Sequence, residues 1–98
     1  MKVMISQPMK GLTTEQVRQN REHAVLLLEG MGDEVVDTVF TDNPPETKNE
    51  ALWHLGKSLQ FMANCDAVYF MKGWEDARGC AIEHDAATKY GIQTIYEK

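Results

Sequence analysis

A chain of 98 residues, of which 43% are hydrophobic, is long enough for one compact domain and too short for two separate cores. Its formal net charge of -5 argues against general binding to nucleic acid or an anionic membrane surface and favours a small-molecule ligand. Charged residues interrupt every apolar stretch, so no membrane-spanning helix is predicted. We therefore expect a single domain over residues 1–98.

Cysteine usage and the first residues predict a cytoplasmic location. The chain has two cysteines, Cys65 and Cys80, and it begins without the charged and apolar pattern of a leader. A short domain also buries a limited share of its surface, so a homo-oligomer is the expected assembly.

The first half of the chain predicts strand, helix, strand. Residues 2–6 form an apolar strand that Gln7 and Pro8 end, because proline has no N–H for a sheet. Thr13 and Gln16 have the spacing of a capping box and predict a helix start. Residues 34–40 then predict a second strand, followed by a polar loop at 41–45. The helix's apolar positions are Val17, Ala24, Leu27, Leu28 and Met31.

The second half repeats the alternation. Residues 46–64 predict a helix with one apolar face, residues 66–71 a buried parallel strand, residues 80–90 a third helix and residues 92–96 a fourth strand. The apolar face of the second helix comprises Leu52, Leu55, Leu59 and Met62. Its Leu- and Trp-rich surface, which includes Trp53, exceeds what one sheet face needs and supports the expectation of an oligomer.

This order predicts an α/β fold of flavodoxin or Rossmann type. Four parallel strands in the order 2-1-3-4 would lie between helices on both faces, with right-handed crossovers. Ligands of such sheets bind beyond the carboxyl ends of the strands, where the strand order reverses. The site is therefore expected between the loop at residues 6–12 and the segment at residues 72–79.

The second of these segments has features of an anion site. Gly79 precedes the last predicted helix, whose first N–H groups carry partial positive charge, and Glu83 would lie in its first turn. That position would favour the ionised carboxylate that a nucleophile needs. An acidic residue in a first turn is more often an ordinary helix-stabilising residue, so the residues alone favour the structural interpretation.

Two segments resemble a known family, and this resemblance favours a functional role for Glu83. They are Ile5-Ser6-Gln7-Pro8-Met9-Lys10-Gly11, and Asp66-Ala67-Val68 followed by Gly79-Cys80-Ala81-Ile82-Glu83. Over nearly the whole chain they resemble the nucleoside 2-deoxyribosyltransferase superfamily. Its small, largely uncharacterised bacterial and phage members also resemble the chain in Gly73-Trp74-Glu75, Ala77-Arg78-Gly79-Cys80 and Ile82-Glu83-His84.

In characterised members of that superfamily, the glutamate that matches Glu83 attacks the anomeric carbon of a deoxyribose and releases the base. The resemblance implies a hydrolase of the N-glycosidic bond of nucleosides or nucleotides, with Glu83 as nucleophile and Asp76 as an acid or hydrogen-bond partner. No cofactor is implied. The predicted substrate-binding residues are Ser6, Gln7, Pro8, Met9, Lys10, Gly11, Ser58, Trp74, Gly79 and Cys80.

Departures from the superfamily pattern leave a second interpretation open. Met4 and Gln7 stand where members often have tyrosine and glycine, and Ser58 stands where enzymes commonly have aspartate. The chain also ends at Lys98, without the segment through which transferases complete a neighbour's site, so base-to-base transfer is not expected. The alternative to a hydrolase is a non-catalytic nucleotide-binding module with the same crevice.

Three further residue types have a functional and a structural interpretation. Trp74 can stack on a base or pack over a helix end. The three histidines are too scattered in sequence for a metal signature, so no metal is expected, although His84 could hydrogen-bond near the site. A helix start would lower the pKa of the Cys80 thiol, yet no histidine stands at a recognisable spacing, and a structural role is expected.

Overall fold

A computed structural model of the chain describes residues 1–36 and 45–98, in which strands and helices alternate. The strands are β1 (Lys2–Ser6), β2 (Glu34–Val36), β3 (Ala67–Phe70) and β4 (Gln93–Tyr96). The helices are α1 (Thr14–Gly30), α2 (Glu50–Met62) and α3 (Arg78–Lys89), with a 3-10 turn at Trp74–Asp76. The predicted end of the second strand beyond Val36, and the predicted loop up to residue 44, lie outside the described residues.

The four strands form one parallel sheet in the order β2-β1-β3-β4, which confirms the predicted fold class. Each face of the sheet has its own apolar cluster. On one face, Val3 and Ile5 of β1 pack in a cluster with Ala24 and Leu28 of α1. On the other, residues of β1 and β3 pack in a cluster with Met62 of α2 and Ala87 of α3. Helices thus cover both faces, and the fold is a three-layer α/β arrangement.

The register of the sheet places three strand ends side by side. Ser6 of β1 pairs with Phe70 of β3, and Phe70 pairs with Tyr96 of β4. Because side chains alternate between the faces of a strand, Ser6 shares its face with Met4, on the side of α2 and α3. We call Ser6, Phe70 and Tyr96 the edge row, since they lie at the carboxyl edge where a ligand of a parallel sheet is expected.

The start of α1 is confirmed, whereas its predicted apolar stripe is partly wrong. The Thr13 side chain accepts the Gln16 N–H and the Gln16 side chain accepts the Thr13 N–H, which completes the capping box. Ala24 and Leu28 are buried, but Leu27 and Met31 are exposed. Among the described residues, the helical members of this face's cluster are Ala24, Val25 and Leu28, so the stripe of α1 that packs on the sheet is narrower than predicted.

The second helix begins later than predicted, at Glu50, because the side chain of Asn49 accepts the Leu52 N–H and caps it. Met62 is buried and Leu52 is exposed, so the apolar face extends beyond what the sheet covers. The expected oligomer stays a prediction. None of the described helices has the length and apolar character that crossing a membrane requires.

The third helix begins earlier than predicted, at Arg78 instead of Cys80. Gly79 therefore lies inside the first turn, where an added Cβ would meet no atom within 4 Å. Glu83 is the sixth helical residue and lies in the second turn, not the first. This shift matters for the charge of Glu83, because the favourable effect of a helix start fades within one turn.

Candidate functional site

A buried hydrogen bond joins the first strand to the last helix at the carboxyl edge of the sheet. The Ser6 hydroxyl donates to Oε1 of Glu83 at 3.0 Å. Ser6 is 1% exposed and Glu83 is 7% exposed, although the two residues are 77 positions apart in sequence. The sequence predicted both as site residues, and the fold brings them into contact.

The charge of Glu83 differs from the expectation. Burial raises the pKa of its carboxyl to about 7, against 4.5 for an ordinary glutamate, and the hydrogen bond from Ser6 only partly opposes this effect. The predicted preference for the ionised form was wrong, because Glu83 lies in the second turn of α3 and its side chain is buried. At neutral pH the carboxyl therefore exists in comparable protonated and ionised fractions.

Cys80 lies one turn before Glu83 and is also buried. Burial raises the pKa of its thiol, an effect that the Ser6 hydroxyl partly offsets and that the charge of Glu83 adds to. The prediction of a lowered thiol pKa was therefore wrong, because burial of the sulfur outweighs the field of the helix start. The Ser6 hydroxyl thus contacts both Cys80 and Glu83, and all three side chains are buried within an apolar layer.

Aromatic rings line the neighbouring part of the same edge. Trp74 stacks on the imidazole of His84, with ring centres 4.0 Å apart and planes inclined by 23°. Phe70 contacts both of these rings, at 5.4 Å and 4.9 Å between centres. The hydroxyl of Tyr96 lies 2.7 Å from Nε2 of His84. The sequence reasoning missed Phe70 and Tyr96, which only the register of the strand ends could have indicated.

The predicted binding residues in the loop after β1 lie in different surroundings. Gln7 turns towards α1, where its Nε2 donates to the Val17 carbonyl at 2.6 Å. Pro8 lies close to the loop after β3: a Cβ added to Gly73 of that loop would be 3.7 Å from the Pro8 ring. The two loops thus meet as predicted. The remaining predicted residues of the first loop, Met9, Lys10 and Gly11, are exposed.

Asp76, the predicted acid or hydrogen-bond partner, and Ser58, a predicted substrate-binding residue, differ in burial. Asp76 is exposed in the 3-10 turn, and Ser58 is half-buried on α2. No hydrogen bond between Glu83 and either residue is present in the described structure. No group of three or more His, Cys, Asp or Glu side chains within residues 1–36 and 45–98 is arranged to hold a metal ion.

Two of the cavities that described residues line lie on the α1 side of the sheet. The larger, about 650 Å³, is lined by α1 and β2. The smaller, about 240 Å³, lies at the carboxyl ends of the strands, where it is lined by Gln7 and Pro8 from the first loop and by Lys72 and Glu97. Neither has Glu83 among its described lining residues. The smaller cavity therefore lies on the α1 side of the sheet, whereas the buried carboxyl of Glu83 lies on the side of α2 and α3.

The start of α3 presents free backbone donors close to this carboxylate. The residue before the helix, Ala77, has no capping side chain, in contrast to the caps of α1 and α2. Ala81 N–H bonds to the Ala77 carbonyl, which leaves the N–H groups of Arg78, Gly79 and Cys80 without an acceptor among the described residues. These three donors begin two residues before the predicted helix start at Cys80, and they can bind an anion.

Comparison with known families accounts for almost the entire chain. Residues 1–96 match the family described as Domain of unknown function (DUF4406). The chain belongs to the DUF4406 family. No curated protein matches this DUF4406 chain in sequence.

The DUF4406 fold occurs in a solved glycosidase structure. The structure of the CMP N-glycosidase BcmB from Clostridium botulinum matches with a TM-score of 0.62 and 22% sequence identity. The match covers 98% of the DUF4406 chain and 67% of the BcmB chain. At this identity the likeness shows a shared fold, which agrees with the parallel sheet described above.

Proposed function

We propose that this DUF4406 chain hydrolyses the N-glycosidic bond of a nucleoside or nucleoside monophosphate, with Glu83 as the nucleophile. The observation that carries the proposal is the buried carboxylate that Ser6 holds at the carboxyl edge of the sheet. Burying a carboxyl group raises the free energy of its charged form, and such a position is typical of functional residues. The resemblance in Gly79-Cys80-Ala81-Ile82-Glu83 supports the same assignment.

The geometry of Glu83 suits attack on a sugar carbon. Its Oε1 accepts the Ser6 hydroxyl, and no described residue donates to Oε2, which is the oxygen proposed to attack. The carboxyl has a pKa of about 7, so a large fraction is ionised at neutral pH. Glu83 is 7% exposed, so its anion is weakly solvated and reactive. Attack on the anomeric carbon would release the base, and water would then hydrolyse the glycosyl ester.

The start of α3 provides a reason to include phosphorylated substrates. The free N–H groups of Arg78, Gly79 and Cys80 lie within two turns of Glu83, and Gly79 leaves open space beside the backbone. A phosphate bound there would satisfy donors that are otherwise unpaired. BcmB, which shares the fold, is titled a CMP N-glycosidase, and this title supports a nucleotide as the class of substrate.

A substrate panel tests this proposal. Wild-type protein is incubated with ribonucleosides, deoxyribonucleosides and their monophosphates, and free base is measured by chromatography. Glu83→Gln keeps the acceptor for Ser6 and removes the nucleophile, so base release should fall by orders of magnitude. Glu75→Gln is the matched control, because Glu75 is an exposed carboxylate of the neighbouring turn. Equal rates in wild type and Glu83→Gln would rule out the nucleophile.

One observation favours a second candidate, a nucleotide-binding module without catalysis. Retaining glycosidases use two carboxyl groups about 5–5.5 Å apart. In this chain Ser58 replaces the usual aspartate, and Asp76 is exposed instead of being held beside Glu83. If this candidate is correct, calorimetry detects nucleotide binding to the wild type while no nucleotide of the panel releases its base. Glu83→Gln would then change affinity only.

A further inference from the structure

His84, like its neighbour Glu83, extends from α3 to the carboxyl edge of the sheet. Glu83 reaches Ser6 at the end of β1, whereas His84 reaches the ends of the next two strands, Phe70 and Tyr96. These three contacts are with the edge row, whose members are register partners on adjacent strands. The carboxylate and the imidazole are therefore presented side by side to the same edge.

The imidazole of His84 is held on two sides. The indole of Trp74 stacks on it at 4.0 Å, and the Tyr96 hydroxyl bonds Nε2 at 2.7 Å. No residue that the structure describes bonds Nδ1. An imidazole with one fixed nitrogen and one unoccupied nitrogen can give or take a proton at a defined point. The ring is half-buried, so a ligand can reach it.

The proposed hydrolysis needs an acid for the leaving base, and the residue predicted for that role, Asp76, is exposed in the 3-10 turn. Ser58 stands where enzymes of the resembled superfamily commonly have aspartate, and its hydroxyl does not ionise near neutral pH. A base that leaves without a proton departs as an anion, which slows cleavage. His84 is a titratable group next to Glu83 in sequence, and it lies at the same edge of the sheet.

We infer that His84 donates the proton to the leaving base, an assignment that rests on the proposed function. In the imidazolium form, Nε2–H donates to the Tyr96 oxygen and Nδ1–H faces the base. The C–N bond breaks and its electron pair stays on the base, which takes the Nδ1 proton, while a Glu83 oxygen bonds to the anomeric carbon. Water then attacks that carbon and gives its proton to Nδ1, which regenerates the carboxylate and the imidazolium.

Leaving-group dependence separates this role from a structural one. The probes are pairs of monophosphates that differ in the base: deoxyguanosine and 7-methyldeoxyguanosine, or cytidine and 5-fluorocytidine, according to the base that the wild type releases. The modified base of each pair leaves more readily without a proton. His84→Gln should slow cleavage of the unmodified substrate by about 10²–10⁴-fold and that of the modified one much less. Glu83→Gln should slow both alike.

Tyr96→Phe is the second variant, because it keeps the aromatic ring and removes only the hydroxyl that fixes Nε2. A smaller loss confined to the unmodified substrate supports the assignment, even if His84→Gln fails to fold. Equal slowing of both substrates in both variants would overturn the role of His84 and leave the hydrolase proposal intact. Absence of base release by the wild type would overturn the hydrolase proposal itself, and the His84 role with it.

Discussion

Replacing Glu83 with glutamine should remove a loss of stability that the wild type undergoes as pH rises from 4.5 to 7. Burial raises the carboxyl pKa from 4.5 to about 7. Below pH 4.5 the carboxyl is protonated in both states, and between the two values the folded state holds a proton that the unfolded state has lost. The free energy of unfolding due to this group therefore falls as pH rises from 4.5 to 7, and stays level above 7.

The size of the effect follows from the same two values. At about 1.4 kcal/mol per pKa unit, their difference corresponds to roughly 3 kcal/mol. Glutamine does not titrate, and its carbonyl oxygen can still accept the Ser6 hydroxyl. The stability difference between Glu83→Gln and wild type should thus grow in favour of the variant by about 3 kcal/mol between acidic and alkaline pH.

Urea unfolding, followed by circular dichroism at pH values from about 4 to 8, measures this difference. Subtracting the variant's curve from that of the wild type cancels the other titrating groups. Glu75→Gln serves as the control, because an exposed carboxylate should leave the difference within about 0.5 kcal/mol at every pH. A pH-independent difference, or a wild type that gains on the variant as pH rises, would refute the reasoning from burial.

Four further outcomes are expected. Ser6→Ala leaves Glu83 without its donor, so the carboxyl pKa should rise above about 7 in an NMR titration; an unchanged value would contradict the hydrogen bond. Phe70→Ala removes a fully buried ring and should cost about 3–5 kcal/mol in urea unfolding. Thr13→Ala should cost about 1 kcal/mol through the lost cap, and a neutral result would show that the cap is dispensable. The buried Cys80 thiol should react with a thiol reagent far more slowly in folded than in unfolded protein.

The parts of the fold that could be predicted from sequence depend on local patterns. The apolar segments around Val3 and Val68, which both face helices on either side, identified the central strands correctly. The capping box at Thr13 located the start of α1 to the residue. Alternation of strand and helix then led to a parallel sheet and to the strand order that the structure has.

The errors concern quantities that depend on distant parts of the chain. Gly79 was taken as the break before α3, yet a glycine in a first turn is tolerated, and the helix begins at Arg78. The charge state of Glu83 was inferred from its helix, whereas burial by the rest of the fold decides it. The contact of His84 with Tyr96 depends on the register of β3 and β4, which no local motif encodes.

The hydrogen bond between Ser6 and Glu83 can form only after α3 has been synthesised. Ser6 belongs to β1 and Glu83 to α3, 77 residues later, so β1 leaves the ribosome before α3 does. Until that helix is made and docked, the Glu83 carboxyl is either absent or in water, where its pKa is ordinary. A chain that stops before α3 lacks Glu83 and therefore this hydrogen bond. The raised pKa of Glu83 thus requires that α3 has docked against the end of β1.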